Sequence, residues 1–354
     1  MQPAKPIAAL AVVVSFGASA CLPSFEWIED GAGSTGSGGV GGAGGSGGAG
    51  GSGGGGGHTS CPAFGPATSG PYGALALYFG EPVKDESLFP QSTLHHGAVS
   101  ADGVFFARQW DNGSIVQYTR PDPLTATWGA FSEPSYVFHD LSPHLITDDL
   151  RLISCHGGEK KCAMHTRDNL VSPLMVTWYF QDHPPFDGAA ADFFFAPSGT
   201  GAYLAFASNR ASAANDAPYT PDTDLWIGKA VDPADPTQGY VDLERLDAAS
   251  APLADDEPTW ISDDGSTVVF HSNRDATRDV FVASRPSAGE PFGEAVKIEA
   301  LSSQADDELH FSMPSIGTLQ AAGPCPHGWA YVRRDHAGEG WFHRVPVCVG
   351  APCP

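Results

Sequence analysis

The sequence predicts an all-β fold, a β-propeller of four-stranded blades carried behind a disordered Gly-rich tether. Two observations lead there. A strand, tight Asp-Gly turn, strand, polar turn, strand pattern recurs along the chain, its Ser/Thr-Asp landmarks separated by roughly 45 to 65 residues, the range of propeller blades. Composition agrees: with 43 Gly and 30 Pro against 17% charged residues, turn formers abound, while 42% hydrophobic and 10% aromatic content supplies a core.

The strongest copy runs from Asp256-Glu257-Pro258-Thr259-Trp260-Ile261 through Ser262-Asp263-Asp264-Gly265 to Thr267-Val268-Val269-Phe270-His271-Ser272-Asn273-Arg274, then Asp279-Val280-Phe281-Val282. Gly accepts the positive φ of a tight turn, and the β-branched and aromatic residues suit a pleated, half-buried surface. Ser142 to Arg167 repeats the pattern. So does Asp192 to Arg210, followed by an insertion over Ala211–Thr223 before Asp224-Leu225-Trp226-Ile227. A weaker copy spans His95 to Arg120, and a degenerate one Asp307 to Val345. At about 45 residues per blade, residues 61–354 would hold six blades, although five copies are legible. Strands at Ala74–Phe79 and Val345–Val349 are expected to close one blade from both chain ends.

The Ser-Asp-Asp-Gly turn, the Ser-Asn-Arg after the second strand and the Asp opening the third resemble the WD40-like propeller repeat of TolB-type proteins. The resemblance covers five copies over residues 90–345. It implies architectural roles for Asn273, Arg274 and Asp279, and for Asn209, Arg210 and Asp224 in the equivalent places, as turn and ion-pair elements. The copy at 141–170 departs from it: His156-Gly157-Gly158 stands where the polar turn should be, and a cysteine pair takes the place of the Arg–Asp contact.

Ahead of the repeats lie an address and a tether. Lys5, an apolar run from Ile7 to Phe16 and the small residues Gly17 to Ala20 read as a secretory signal over residues 1–20. Ala18-Ser19-Ala20-Cys21 resembles the lipobox of bacterial lipoproteins, with Ala18 where Leu is usual, so Cys21 is the expected lipidation site. Leu22 follows it, with no Asp to suggest inner-membrane retention, so the expected address is the outer membrane. Residues 21–60 form the tether. Its Gly-rich stretch, Gly31 to Gly57, is a flexible coil with an end-to-end distance of roughly 30 Å. The propeller domain is placed at 61–354.

Seven cysteines leave six beyond Cys21, an even number that suggests up to three disulfides in an exported protein. Cys155 and Cys162 lie at adjoining ends of consecutive strands, which suggests a hairpin-spanning bond. Pairing among Cys61, Cys325, Cys348 and Cys353 stays open. None has the paired spacing of a zinc site, and no metal or cofactor is expected.

Asp and Glu number 41 against 18 Lys and Arg, a net charge of −23 that excludes nucleic acid as a partner. His95, His96, His144 and His310, with Asp192 and Glu257, fall near the first strand of their repeats, so they could converge on the central channel as a ligand site. The competing expectation is that they are polar residues at blade ends. The acidic runs Asp255-Asp256-Glu257 and Asp306-Asp307-Glu308 read as solvated loops. No nucleophile elbow, phosphate loop or HExxH motif is present. The expected function is therefore a monomeric, membrane-tethered binding module for a cell-envelope protein, peptide or glycan. The alternative is a secreted carbohydrate-active or metal-dependent hydrolase working at the channel.

Overall fold

The structure is a computed structural model. It describes residues 69–88, 91–92, 97–109, 115–125, 127–131, 141–145, 151–156, 161–166, 175–188, 190–213, 219–303, 306–321, 327–336 and 339–351. The signal, Cys21, the tether, Cys61, His95, His96, Cys325 and Cys353 lie outside them.

The described strands form five antiparallel sheets, four of them four-stranded. Blade 1 comprises Gly97–Val99, Phe105–Gln109, Ile115–Thr119 and Gly129–Phe131. Blade 2 comprises Leu141–Leu145, Arg151–His156, Lys161–Thr166 and Met175–Tyr179. Blade 3 comprises Asp192–Pro197, Tyr203–Arg210, Tyr219–Ala230 and Tyr240–Arg245. Blade 4 comprises Asp256–Ile261, Thr267–Ser272, Asp279–Ser284 and Val296–Lys297. Blade 5 takes Asp307–Ser312, His327–His336 and Glu339–Val349 from the end of the chain, and Leu77–Phe79 and Ser69–Tyr72 from its beginning. The first strand of each blade touches that of the next, and the first strand of blade 5 touches that of blade 1. This is a β-propeller.

Five sheets stand where length alone would hold six. Two elements among the described residues are long: the third strand of blade 3 spans Tyr219–Ala230, and the last hairpin of blade 5 spans His327–His336 and Glu339–Val349.

Sequence chemistry sets the turns. In blade 4 the Ser262 hydroxyl accepts hydrogen bonds from the Ser266 and Thr267 amides at 3.1 and 2.9 Å and donates to Asp264 at 2.6 Å. Gly265 turns the chain at φ +66°. Ser100 and Ser198 accept the equivalent amide bonds from Phe105 and Tyr203 at 3.1 Å each. Gly103 and Gly201 both stand at φ +74°. One local recipe thus starts three second strands.

The core lies between blades rather than in one centre. Phe186, Phe195, Phe206 and Trp226 pack with Ile153 and Met164 between blades 2 and 3. Ile261, Phe270 and Phe281 pack with Leu225 and Ile227 between blades 3 and 4. Closure occurs where expected: Leu77 pairs with Val349, Tyr78 with Cys348 and Phe79 with Val347. The fully buried Phe79 meets Phe311 of the first strand edge-on, at 5.9 Å between ring centroids. Truncating this side chain leaves a cavity at the seam. Phe79→Ala is expected to lower unfolding free energy by about 3–5 kcal/mol in denaturant titration. The half-exposed Val83→Ala on the same sheet should stay within about 0.5 kcal/mol of the parent.

Candidate functional site

The first strands carry most of the sequence-predicted site residues, and the structure spends their carboxylates on arginines. In blade 3 Asp192 lies opposite Ser208. Arg210, two residues on, turns back onto both: Nε donates to Asp192 Oδ1 and Ser208 Oγ at 3.1 Å each, and Nη2 pairs with Asp192 Oδ2. Both side chains are fully buried. The guanidinium lies 5.2 Å from the Phe206 ring centre and 5.6 Å from that of Trp226. Blade 4 repeats the arrangement. Arg274 donates to Asp256 Oδ1 at 2.7 Å and to Ser272 Oγ at 3.0 Å, with its guanidinium 4.7 Å from the Phe281 ring centre. Asn209 and Asn273 each accept a 2.9 Å bond from the amide just before the first strand, of Ala191 and Asp255.

The sequence does not specify which partners these residues take. The arginines pair with the first-strand aspartates 192 and 256. Asp224 instead meets Arg245 at 3.4 Å, and Asp279 meets Lys297 at 2.6 Å. Ser208 has Asp192 on one side and Asp224 on the other, and a register shift between Ser208 and Arg210 accompanies the turn of the arginine toward the inner one.

Glu257 and His310 do come together, through a residue that sequence reasoning did not single out. His271 lies opposite Glu257 across the hairpin, and its Nε2 sits 3.1 Å from Glu257 Oε2. Arg278, on the following turn, reaches the same oxygen at 2.5 Å. The His310 ring of blade 5 meets the His271 ring at 5.6 Å, edge to face. Both His310 and the neighbouring Phe194 of blade 3 hold left-handed backbone, at φ +52° and +54°. Glu308 occupies in blade 5 the register position of Glu257, with Arg334 Nε 3.4 Å away. Burial pushes Glu257 up to about 7 against the pull of Arg278, and burial likewise raises Glu308 to about 7. His144 lies on the first strand of blade 2, opposite Ile153.

Toward the other end of the first strands the ring is lined by neutral side chains, among them Ala98, Ala196, Thr259, Trp260, Ser312 and Met313. The cavity there is about 20 Å3, room for about one water. Among the described residues no acid or base lines it. Among the described residues no group of three or more His, Cys, Asp or Glu could hold a metal ion.

Sequence reasoning also missed two arginines that follow third strands, Arg120 after Thr119 and Arg285 after Ser284. Each donates through Nε to the carbonyl of its own blade's turn glycine, Gly103 at 2.5 Å and Gly265 at 2.9 Å. Each covers an aromatic ring, Trp128 or Phe292. Through Nη1 each reaches the preceding blade in the ring, Arg120 to the Tyr331 hydroxyl at 3.0 Å and Arg285 to Glu244 at 2.9 Å. The signal was present as a basic residue recurring at one repeat position.

No family model and no curated protein matches the chain. Solved structures do. A protein of Agrobacterium tumefaciens assigned to TolB is 11% identical, with 73% of this chain and 91% of that one covered and a TM-score of 0.37. TolB from Acinetobacter baumannii is 10% identical, with 70% of this chain covered and a TM-score of 0.35; the match spans 53% of that protein's length. A GH62 hydrolase solved with xylotriose is 10% identical, with 77% and 98% covered and a TM-score of 0.43. Likenesses this distant carry no argument about activity.

Two expectations follow. Asp192→Ala strands the buried Arg210 charge and should cost about 3–5 kcal/mol in denaturant titration, whereas Asp247→Ala, 73% exposed, should change stability little. Glu257 and Glu308 hold protons in the folded state that an unfolded carboxyl releases above about 4.5. Their contribution is full below that pH and is lost as pH rises through about 7. Unfolding free energy should therefore fall between pH 5 and 8, by on the order of 1–3 kcal/mol for each group. Glu257→Gln should flatten that slope.

Proposed function

We propose that this chain is a membrane-tethered, extracytoplasmic interaction module that presents a rigid propeller to a cell-envelope protein, peptide or glycan. The observation that carries the reading is the fate of the first-strand carboxylates. Asp192, Asp256, Glu257 and Glu308 each face an arginine, and the described side chains that line the channel cavity beyond them, which has room for about one water, carry no charge. Hydrolysis of a glycosidic bond needs two carboxylates flanking a substrate, one of them free to act as acid. Asp192 and Asp256 are held in buried ion pairs with Arg210 and Arg274, which suits a scaffold better than a reaction, and Glu257, which burial raises to about 7, is the carboxyl that the hydrolase alternative would use.

The proposal includes a lipid on Cys21, the Gly-rich segment as a spacer and the outer membrane as the address. It also includes a Cys155–Cys162 bond, supported by the direct opposition of those residues across the hairpin of blade 2. Several acyl chains would anchor the chain firmly, at about 0.8 kcal/mol per buried methylene.

The test uses the full chain in cells. Membrane fractionation should show the parent protein in the outer membrane and Cys21→Ala released. Photo-crosslinking from exposed blade positions should give a discrete envelope adduct that needs the anchor. Turnover of an oligosaccharide panel that disappears in Glu257→Gln would overturn the reading in favour of the hydrolase.

A further inference from the structure

A groove of about 240 Å3 opens between blades 3 and 4, at the end of the ring that carries the Ser-Asp-Gly turns. Blade 3 supplies Tyr203, Lys229, Asp242 and Glu244 to its walls, and Arg285 follows the third strand of blade 4. Arg285 is 4% exposed. Its Nε and Nη1 hold the turn glycine, Glu244 and the Glu290 carbonyl, while Nη2 makes no hydrogen bond among the described residues. The same arm of Arg120 in blade 1 also lacks a partner, but it is sealed from solvent. In blade 4 Arg285 lines a cavity instead.

The other groups of the groove are similarly uncommitted. Lys229 is exposed and has no ion-pair partner among the described residues. Asp242 is exposed, likewise unpaired, and holds left-handed backbone at φ +52° within a strand. Outliers of that kind in non-glycine residues persist where the surroundings impose them, and they cluster at ligand sites.

Two cations and two carboxylates cancel here, in a protein whose net charge is −23. A ligand of one sign would meet repulsion from half of the groove, whereas a zwitterion meets an opposite charge at each end. Pockets for drug-sized ligands run from about 300 to 1,000 Å3, so this smaller space suits a smaller molecule. We propose that the groove binds a zwitterion of amino-acid to dipeptide size. Its carboxylate lies against Arg285 Nη2 and the Lys229 ammonium, its ammonium group lies against Asp242, and Tyr203 forms a wall. This site is separate from the first-strand starts and does not rest on the interaction-module reading.

Calorimetric titration of the full chain with L-alanyl-L-alanine and with free alanine separates the two sizes. At least one should give saturable binding in the millimolar range. Capping the responsive compound, as its carboxamide or its N-acetyl form, should weaken binding at least about tenfold in each case, the scale of a lost charge-assisted hydrogen bond. Lys229→Ala and Asp242→Asn should each do the same at an unchanged melting temperature, since Asn tolerates left-handed backbone. Absence of saturation by both compounds would overturn the proposal. So would equal binding of the capped forms, or full affinity in both variants. The envelope cross-linking result is independent of all these outcomes.

Discussion

A ring of sheets buries its first strands between neighbouring blades, and that constraint governs where this protein can keep charge. An ion moved from water to such a site loses solvation worth several kcal/mol unless a partner restores it. Asp192, Asp256, Glu257 and Glu308 sit near the starts of buried strands, and each has an arginine from the same blade within reach. Arg210 and Arg274 are themselves framed by aromatic rings and hydroxyls. The acidity that marks the composition is thereby split in two. Part of it is internal and matched. The remainder is on the surface, where it acts on solubility and partner choice.

The blades are joined by a second set of charges. Arg120 and Arg285 tie a turn glycine of one blade to a side chain of the blade before it. Dispersion and apolar burial between sheets are strong but non-directional. A guanidinium has fixed donor directions, so it specifies how far one blade is rotated against the next. The two sets are complementary: one neutralises the strand starts, the other sets the register between sheets at the opposite end.

Much of this was legible in local chemistry. Ser262-Asp263-Asp264-Gly265 spells its turn because each side chain serves its own neighbourhood, and the same holds for Asn209 and Asn273. Pairing between Ala74–Phe79 and Val345–Val349 was legible because both runs are apolar and otherwise lack partners. What could not be read was decided by register. Whether Arg210 turns to Asp192 or Asp224 depends on a shift between strands that alternation alone does not reveal. Glu257 and His310 both contact His271, from a strand that the channel hypothesis did not consider.

The closing pair of strands has a consequence for biogenesis. Leu77 and Val349 are neighbours in the sheet but lie at opposite ends of the fold in sequence. The entropic cost of joining such distant segments must be met before their contacts reward it, which makes closure a late event. Until the two segments meet, Phe79 has no third strand to pair with and Phe311 lacks its edge-on neighbour. Before that pairing the fold is an open arc of sheets with apolar edges, and the pairing converts the arc into a ring.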